Sequence, residues 1–380
     1  MNNKKKRYSK LVFLILFILI IIVICCFFEV GKIRFSNSDL SGVDVSKYDD
    51  KNQLVLKKAM NTYSKINTSK NNNIVNLLAL SDLQYLEKFE DATYDYDFLL
   101  NRINTVSALD NMDFVVSLGD LNSAVADKNI SYSRLKTITD KFKRFDIPTL
   151  FVKGNHDCYF YSDPKGDITP EEYFEVTFKD YNSSFMFNDN DRNAPYYYVD
   201  IEDKKTRVCV LNCFSAGHYE QVINTEQLKF VTFGMLDFTS KSKPEDWTVV
   251  FFIHTLIPTK IHNEIVEGAD SLLDILHAYK EGKKYDSNLL SVDFSNVKRA
   301  NIAAIFTGHH HFNYTINKNG ILIIGIDTMK YSNERGDTLN YSNYDDFESD
   351  MSFEILSIDT KNKIIYSTKV GNGENRFWNY

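Results

Sequence analysis

Residues 149–157 read Thr149-Leu150-Phe151-Val152-Lys153-Gly154-Asn155-His156-Asp157, and this stretch governs how the rest of the chain is understood. An apolar run of strand length, 149–152, gives way to a glycine, an amide, an imidazole and a carboxylate. Short apolar runs bounded by turn residues read as buried strands, and α/β sheets open their ligand crevice at the carboxyl ends of such strands. The same pattern lies on both sides of it. Leu77–Leu80 leads into Ser81-Asp82-Leu83-Gln84, and Val115–Leu118 into Gly119-Asp120. Further on, Val249–Ile253 leads into His254, and Ile302–Thr307 into Gly308-His309-His310-His311.

Strand-length runs at 74–80, 114–118, 149–152, 207–211, 248–253, 302–306 and 321–326 alternate with longer amphipathic segments, which predicts a layered α/β domain. Thr169 before Pro170, with Glu172 three residues on, predicts a helix start closed by a capping box. Tyr196–Ile201 with Thr206–Asn212, and Phe353–Ile358 with Lys363–Thr368, read as β-hairpins. A composition of 43% apolar, 14% aromatic and 25% charged residues, with only 6 Pro and 15 Gly in 380, excludes a disordered or collagen-like chain.

Charge is unevenly distributed. Lys4, Lys5, Lys6, Arg7 and Lys10 crowd the first ten residues, so the remainder is more acidic than the formal net charge of −7 suggests. Sequence-independent binding to nucleic acid needs a basic surface that displaces phosphate counterions, so no nucleic-acid partner is expected. Residues 11–28 hold no charged side chain, and a helix of that length spans roughly 27 Å. The run lacks a small-residue cleavage site and reads as an uncleaved membrane anchor rather than a signal peptide. Five basic residues before it against Lys32 and Arg34 after it place a cytoplasmic tail at 1–10 and the body outside the cell membrane. Residues 29–73 are rich in Asn, Ser, Lys and Asp and read as a polar stalk, with one helix suggested by Leu54, Val55, Ala59, Met60, Tyr63 and Ile66. Cys209 and Cys213 fall on one expected strand about 13 Å apart, too far for a disulfide.

The five polar blocks occur in the order that marks the calcineurin-like metallophosphoesterases: D-x-H, G-D-x-x-D/N, G-N-H-D/E, a lone His after a strand, and G-H-x-H. The chain resembles that family across residues 81–311. The resemblance implies a four-layer αββα sandwich of two mixed sheets over 74–380. It also implies hydrolysis of a phosphate ester by hydroxide held between two divalent metal ions. Carried over by position, Asp120 bridges the ions. Asp82, Gln84 and His311 complete one metal, and Asn155, His254 and His309 complete the other. His156 matches the family's non-ligand histidine, placed to protonate or stabilise the departing oxygen.

Two positions depart from the pattern. Gln84 stands where the family has His, and a neutral amide oxygen favours Mn or Fe over Zn. Ser123 stands where an Asp or Asn is usual, removing a partner that orients the catalytic histidine. These departures also admit a catalytically impaired ectodomain that keeps metal and acts by binding. Of the remaining histidines, His218 follows a strand end and is a candidate for facing the substrate, whereas His262, His277 and His310 read as structural or merely exposed. Cys213 reads as a small residue at the core rim, and Tyr196-Tyr197-Tyr198 as strand, with the cleft as a second destination for the rings.

Overall fold

In the computed structural model, the residues described are 50–67, 73–85, 96–123, 127–157, 167–179, 184–188, 194–214, 221–259, 263–329, 352–371 and 373–380. The tail expected at 1–10, the anchor at 11–28, the first part of the stalk, and Cys158, His218 and His262 lie outside them. No helix among the described residues is long and apolar enough to cross a membrane.

The first half of the chain contributes α1 (Asp50–Ile66), β1 (Ile74–Leu80), α2 (Tyr96–Ser107), β2 (Phe114–Ser117), α3 (Lys128–Phe142), β3 (Thr149–Phe151) and α4 (Pro170–Thr177). Next come β4 (Met186–Phe187), β5 (Tyr197–Ile201), β6 (Thr206–Val210), α5 (Thr225–Phe230) and β7 (Thr248–Ile253). The remainder is α6 (Ala269–Glu281), β8 (Lys284–Asp286), β9 (Ser291–Asp293), β10 (Asn301–Thr307), β11 (Tyr314–Lys318), β12 (Ile321–Gly325), β13 (Phe353–Asp359), β14 (Ile364–Val370) and β15 (Arg376–Asn379).

Two large mixed sheets result, ordered β15-β14-β13-β1-β2-β3 and β11-β12-β10-β7-β6-β5-β4, with β8 and β9 forming a separate small hairpin. Alternation along the central strands shows how they layer. Val208, Val210, Val250, Phe252, Ala304, Phe306 and Ile324 join the first sheet in one core. Their neighbours Cys209, Val249, Phe251, Ile253, Ile305 and Ile323 face the other way, into a second core with α6. Side chains two apart share a face of a strand, so the second sheet is covered on both sides. Phe252 and Phe306 stack across β7 and β10 with ring centroids 5.2 Å apart. All seven residues of β1 are buried, which accounts for its apolar character; its one polar residue, Asn76, is hydrogen-bonded to Asn67 and Ser357.

The expected capping box is present: Thr169 accepts from the Glu172 main-chain N–H, the Glu172 carboxylate accepts from that of Thr169, and Pro170 opens the helix. Both expected hairpins form, as β5–β6 and β13–β14. Cys209 and Cys213 are free and buried.

Three expectations need correction. The stalk helix is there as α1, but Leu56, Ala59 and Tyr63 pack into the main core, and the Tyr63 hydroxyl donates to the Asp110 carbonyl at 2.6 Å. The folded body therefore starts by residue 50 rather than at 74, because α1 covers β13 and β14. Of the tyrosine run, Tyr197 and Tyr198 are strand and Tyr196 directly precedes it, but the rings do not turn to the cleft. The Tyr197 hydroxyl accepts from the Phe151 N–H at 2.9 Å and donates to the Phe151 carbonyl at 3.3 Å, taking the place of a missing neighbour at the edge of β3. Tyr196 accepts from Asn188, and Tyr198 lies against the Arg207 guanidinium. Finally, β4, β8, β9, β11 and β15 were not anticipated; they are short, and exposed residues recur along each.

Candidate metal centre

The loops that leave β1, β2, β3, β7 and β10 meet at one end of the two sheets. Asp82, Asp120 and His254 are buried there, and Gln84 and His309 nearly so. The ligating atoms of Asp120, His254 and His309 all lie within 4.8 Å of one another. The Asn155 amide oxygen sits 3.1 Å from His254 Nε2 and 3.1 Å from His309 Nδ1, and His254 Nε2 is 3.4 Å from Asp120 Oδ2. On the other flank, His311 Nε2 is 3.2 Å from Asp82 Oδ1. Gln84 enters through its main chain, whose N–H donates to the Asp120 carbonyl at 2.8 Å. Six of the seven expected ligands are thus gathered by their side chains, and the seventh is tied in by its backbone.

The backbone beneath these residues is unusual. Asp82, Gln84, Asp120, His309 and His311 adopt φ of +54°, +48°, +53°, +65° and +60°. Left-handed φ is uncommon outside glycine and costs of order 1–3 kcal/mol per residue, so it persists only where surrounding contacts enforce it. Those contacts are visible. Asp82 Oδ2 accepts from the His309 N–H at 2.9 Å and from the Ser81 hydroxyl, and the Asp82 carbonyl accepts from the Thr328 hydroxyl at 3.1 Å. Gly119, at φ +100°, leaves no room for a side chain, because a Cβ would collide with the His254 ring. The His254 ring is fixed from behind: Nδ1 lies 2.6 Å from the Leu118 carbonyl, so Nδ1–H donates there and Nε2 is turned toward Asp120 and Asn155.

Electrostatics suit a cation. Burial opposes ionisation of Asp82 and Asp120, yet His311 beside the first and His254 beside the second hold both carboxyls below the ordinary range. Burial likewise opposes a charged His254, but Asp120 and Asp82 outweigh it and raise the imidazole to about 9. His309 moves the opposite way; burial and the nearby His254 keep it neutral, as a nitrogen ligand must be. Ionised carboxylates, neutral imidazole and amide oxygens are the donors of a site for borderline divalent ions.

His156 lies at the rim, 16% exposed, with Nε2 3.8 Å from Asp120 Oδ2. Ser123 is buried. Asp157, the carboxylate nearest to His156 in sequence, turns away to accept main-chain N–H groups. His310 is structural, bonded to the Ile257 carbonyl and near the Thr259 hydroxyl, and His277 meets the Asn319 carbonyl on the surface. Phe214 was not anticipated: its ring stands 5.7 Å from that of His254 and 6.4 Å from that of His309, forming an apolar wall. Its place just after the β6 run was the available signal.

The calcineurin-like phosphoesterase profile matches residues 75–313, more than half of the chain. No curated protein matches in sequence. Among solved structures, the chain is similar to GAP50, the anchor in the inner membrane complex of Plasmodium. Identity is 12%, covering 80% of this chain and 89% of that one, with a TM-score of 0.44. A 5′-nucleotidase candidate from Staphylococcus aureus in complex with alpha-ketoglutarate is similar at 14% identity and a TM-score of 0.41, over 79% of this chain and 55% of that one. Zinc-complexed Vps29 from Entamoeba histolytica matches at 13% identity and a TM-score of 0.31, over 80% of this chain and 97% of that one.

Proposed function

Because the chain belongs to the calcineurin-like phosphoesterase family, we propose that it is a membrane-anchored, metal-dependent phosphoester hydrolase whose catalytic domain lies outside the cell membrane. The observation that carries this reading is the convergence of Asp120, Asn155, His254 and His309 on one another, with Asp82 and His311 alongside. Two divalent cations bound there would polarise the phosphoryl oxygen and make water nucleophilic near neutral pH. Asp120, which lies near His254 and His156, would be the carboxylate shared by the two cations. Asp82, Gln84 and His311 would hold one cation, and Asn155, His254 and His309 the other, and the amide oxygen of Gln84 would favour Mn or Fe over Zn.

The chain's own groups do the rest. Asp120 Oδ1 accepts the His156 main-chain N–H at 2.8 Å, which sets the imidazole at the open rim, where it holds a proton for the leaving oxygen. Phe214 excludes water from behind the two histidines. Anchoring rests on the uncharged run at 11–28 and the basic cluster before it.

Elemental analysis of the purified protein, paired with hydrolysis of p-nitrophenyl phosphate and its bis ester, tests the reading. Chelation should abolish hydrolysis and Mn²⁺ should restore it. Bound metal without hydrolysis of either ester would instead support the impaired, binding-only alternative, and absence of metal affinity would overturn both. For topology, protease added to intact cells should cleave around 157–195; protection until lysis would reverse the orientation.

A further inference from the structure

Asp157 is fully buried, and its two oxygens are occupied by the main chain rather than by any ligand of the centre. Oδ2 accepts from the N–H of Asp120 at 2.9 Å and from that of Gly154 at 2.9 Å, while Oδ1 accepts from the N–H of Asn122 at 3.0 Å. Two of these donors belong to the loop after β2 and one to the loop after β3. The tie is reciprocal, because Asp120 Oδ1 accepts the His156 N–H from the opposite loop. Each loop therefore gives a carboxylate to the other's backbone. The β2–β3 ladder runs out at the Val152 N–H on the Ser117 carbonyl, 2.9 Å, and beyond that point the two aspartates take over the tie. Gly154 allows the approach, since a Cβ there would collide with Asp120 Oδ1.

We infer that Asp157 is the positioning residue of the metal centre: its clasp on the main chain of Asp120, Asn122 and Gly154 sets the spacing between the Asp120 carboxylate and the Asn155 amide. This rests on the metallophosphoesterase reading of those two residues. A carboxylate suits the task because three N–H donors converge on it, two on Oδ2 and one on Oδ1, and each carboxylate oxygen has the capacity for two. An asparagine has a single carbonyl oxygen, so it keeps part of the set and directs an NH₂ at the remaining N–H. Removal of partners that orient metal ligands typically costs 10–100-fold in metal affinity.

The test uses the full-length protein, with Mn²⁺ as probe. In Asp157→Asn, calorimetry should show Mn²⁺ affinity at least tenfold weaker. Hydrogen exchange at the amides of Asp120, Asn122 and Gly154 should accelerate while that of β7 and β10 stays unchanged. The electron paramagnetic resonance of the Mn²⁺-loaded variant should lack the coupled two-ion signal expected of the Mn²⁺-loaded wild type. Mn²⁺ affinity within twofold of wild type in the folded variant would overturn the inference. If Asp157→Asn does not fold, Asp157→Glu, which keeps the charge and moves it by one methylene, takes its place under the same limits. Wild-type protein that binds no Mn²⁺ would defeat the metallophosphoesterase reading itself, whereas normal wild-type binding with unaltered variants defeats only the role of Asp157.

Discussion

In the proposed two-metal arrangement both halves of the centre depend on Asp120, and its replacement is the most severe test at that scale. Asp120→Asn should lose at least one metal ion and roughly 10³-fold or more in hydrolysis, since a neutral amide cannot bridge two adjacent dications. Retained metal together with full activity would remove the two-ion arrangement. His254 supplies a second prediction. Asp120 and Asp82 raise it to about 9 in the cation-free protein, so at pH 7–8 its Nε2 carries a proton where a ligand needs a lone pair. Metal uptake should therefore release about one proton, and apparent affinity should rise with pH up to about 9. Calorimetry in buffers of different ionisation enthalpy measures this directly, and uptake without proton release would contradict it. The residues that converge at the centre were legible in the sequence because each follows an apolar run at the sheet's open end. Asp157 was not legible as a clasp, since it acts on main-chain N–H groups, which leave no mark in a side-chain pattern.

At the scale of elements, β13 carries a buried ion pair that can be titrated. Burial works against ionised Glu354, but Lys369 and Arg376 outweigh it and hold the carboxyl at about 2, below its usual 4.5. A carboxyl depressed in the folded state stabilises the fold above its unfolded pKa, and that contribution disappears as pH falls through the folded value. Denaturant unfolding of the wild type should weaken from about pH 4.5 down to 2. Glu354→Gln should show a flatter profile over that window, and it should be about 3 kcal/mol less stable at pH 7, because buried Lys369 would lose its close partner and keep only Asp327, 4.0 Å away. A parallel pH dependence in the two proteins would assign the acid sensitivity elsewhere. The interior strands were readable for the same reason that they are stable: β1 and β7 are buried along their whole length and are apolar at every position but Asn76 and Thr248. The edge strands β11 and β15 alternate or lean toward solvent, so their sequences look like loops.

For the whole molecule, the polar texture of 29–73 suggested a boundary at 74 because most of that stretch carries no apolar face. The exception, α1, buries Leu56, Met60 and Tyr63. At about 1.5–3 kcal/mol for each large side chain removed from water, its loss should cost more than the margin of many domains. A chain beginning at residue 74 should accordingly unfold at least about 4 kcal/mol more easily than one beginning before residue 50, or fail to fold at all. Equal stability by denaturant unfolding would restore the earlier boundary.

The strand order of the first sheet also has a consequence in time. Central β1 pairs with β13, where Ile74 meets Asp359, as well as with β2. At roughly 5–20 residues per second of synthesis, one edge of the fully buried β1 waits on the order of tens of seconds for a partner that is still unmade. Non-local pairing of this kind is slow and leaves the strand open to aggregation meanwhile. A nascent chain stalled just before residue 353 should thus stay bound to holding chaperones, and release of the remaining segment should free it.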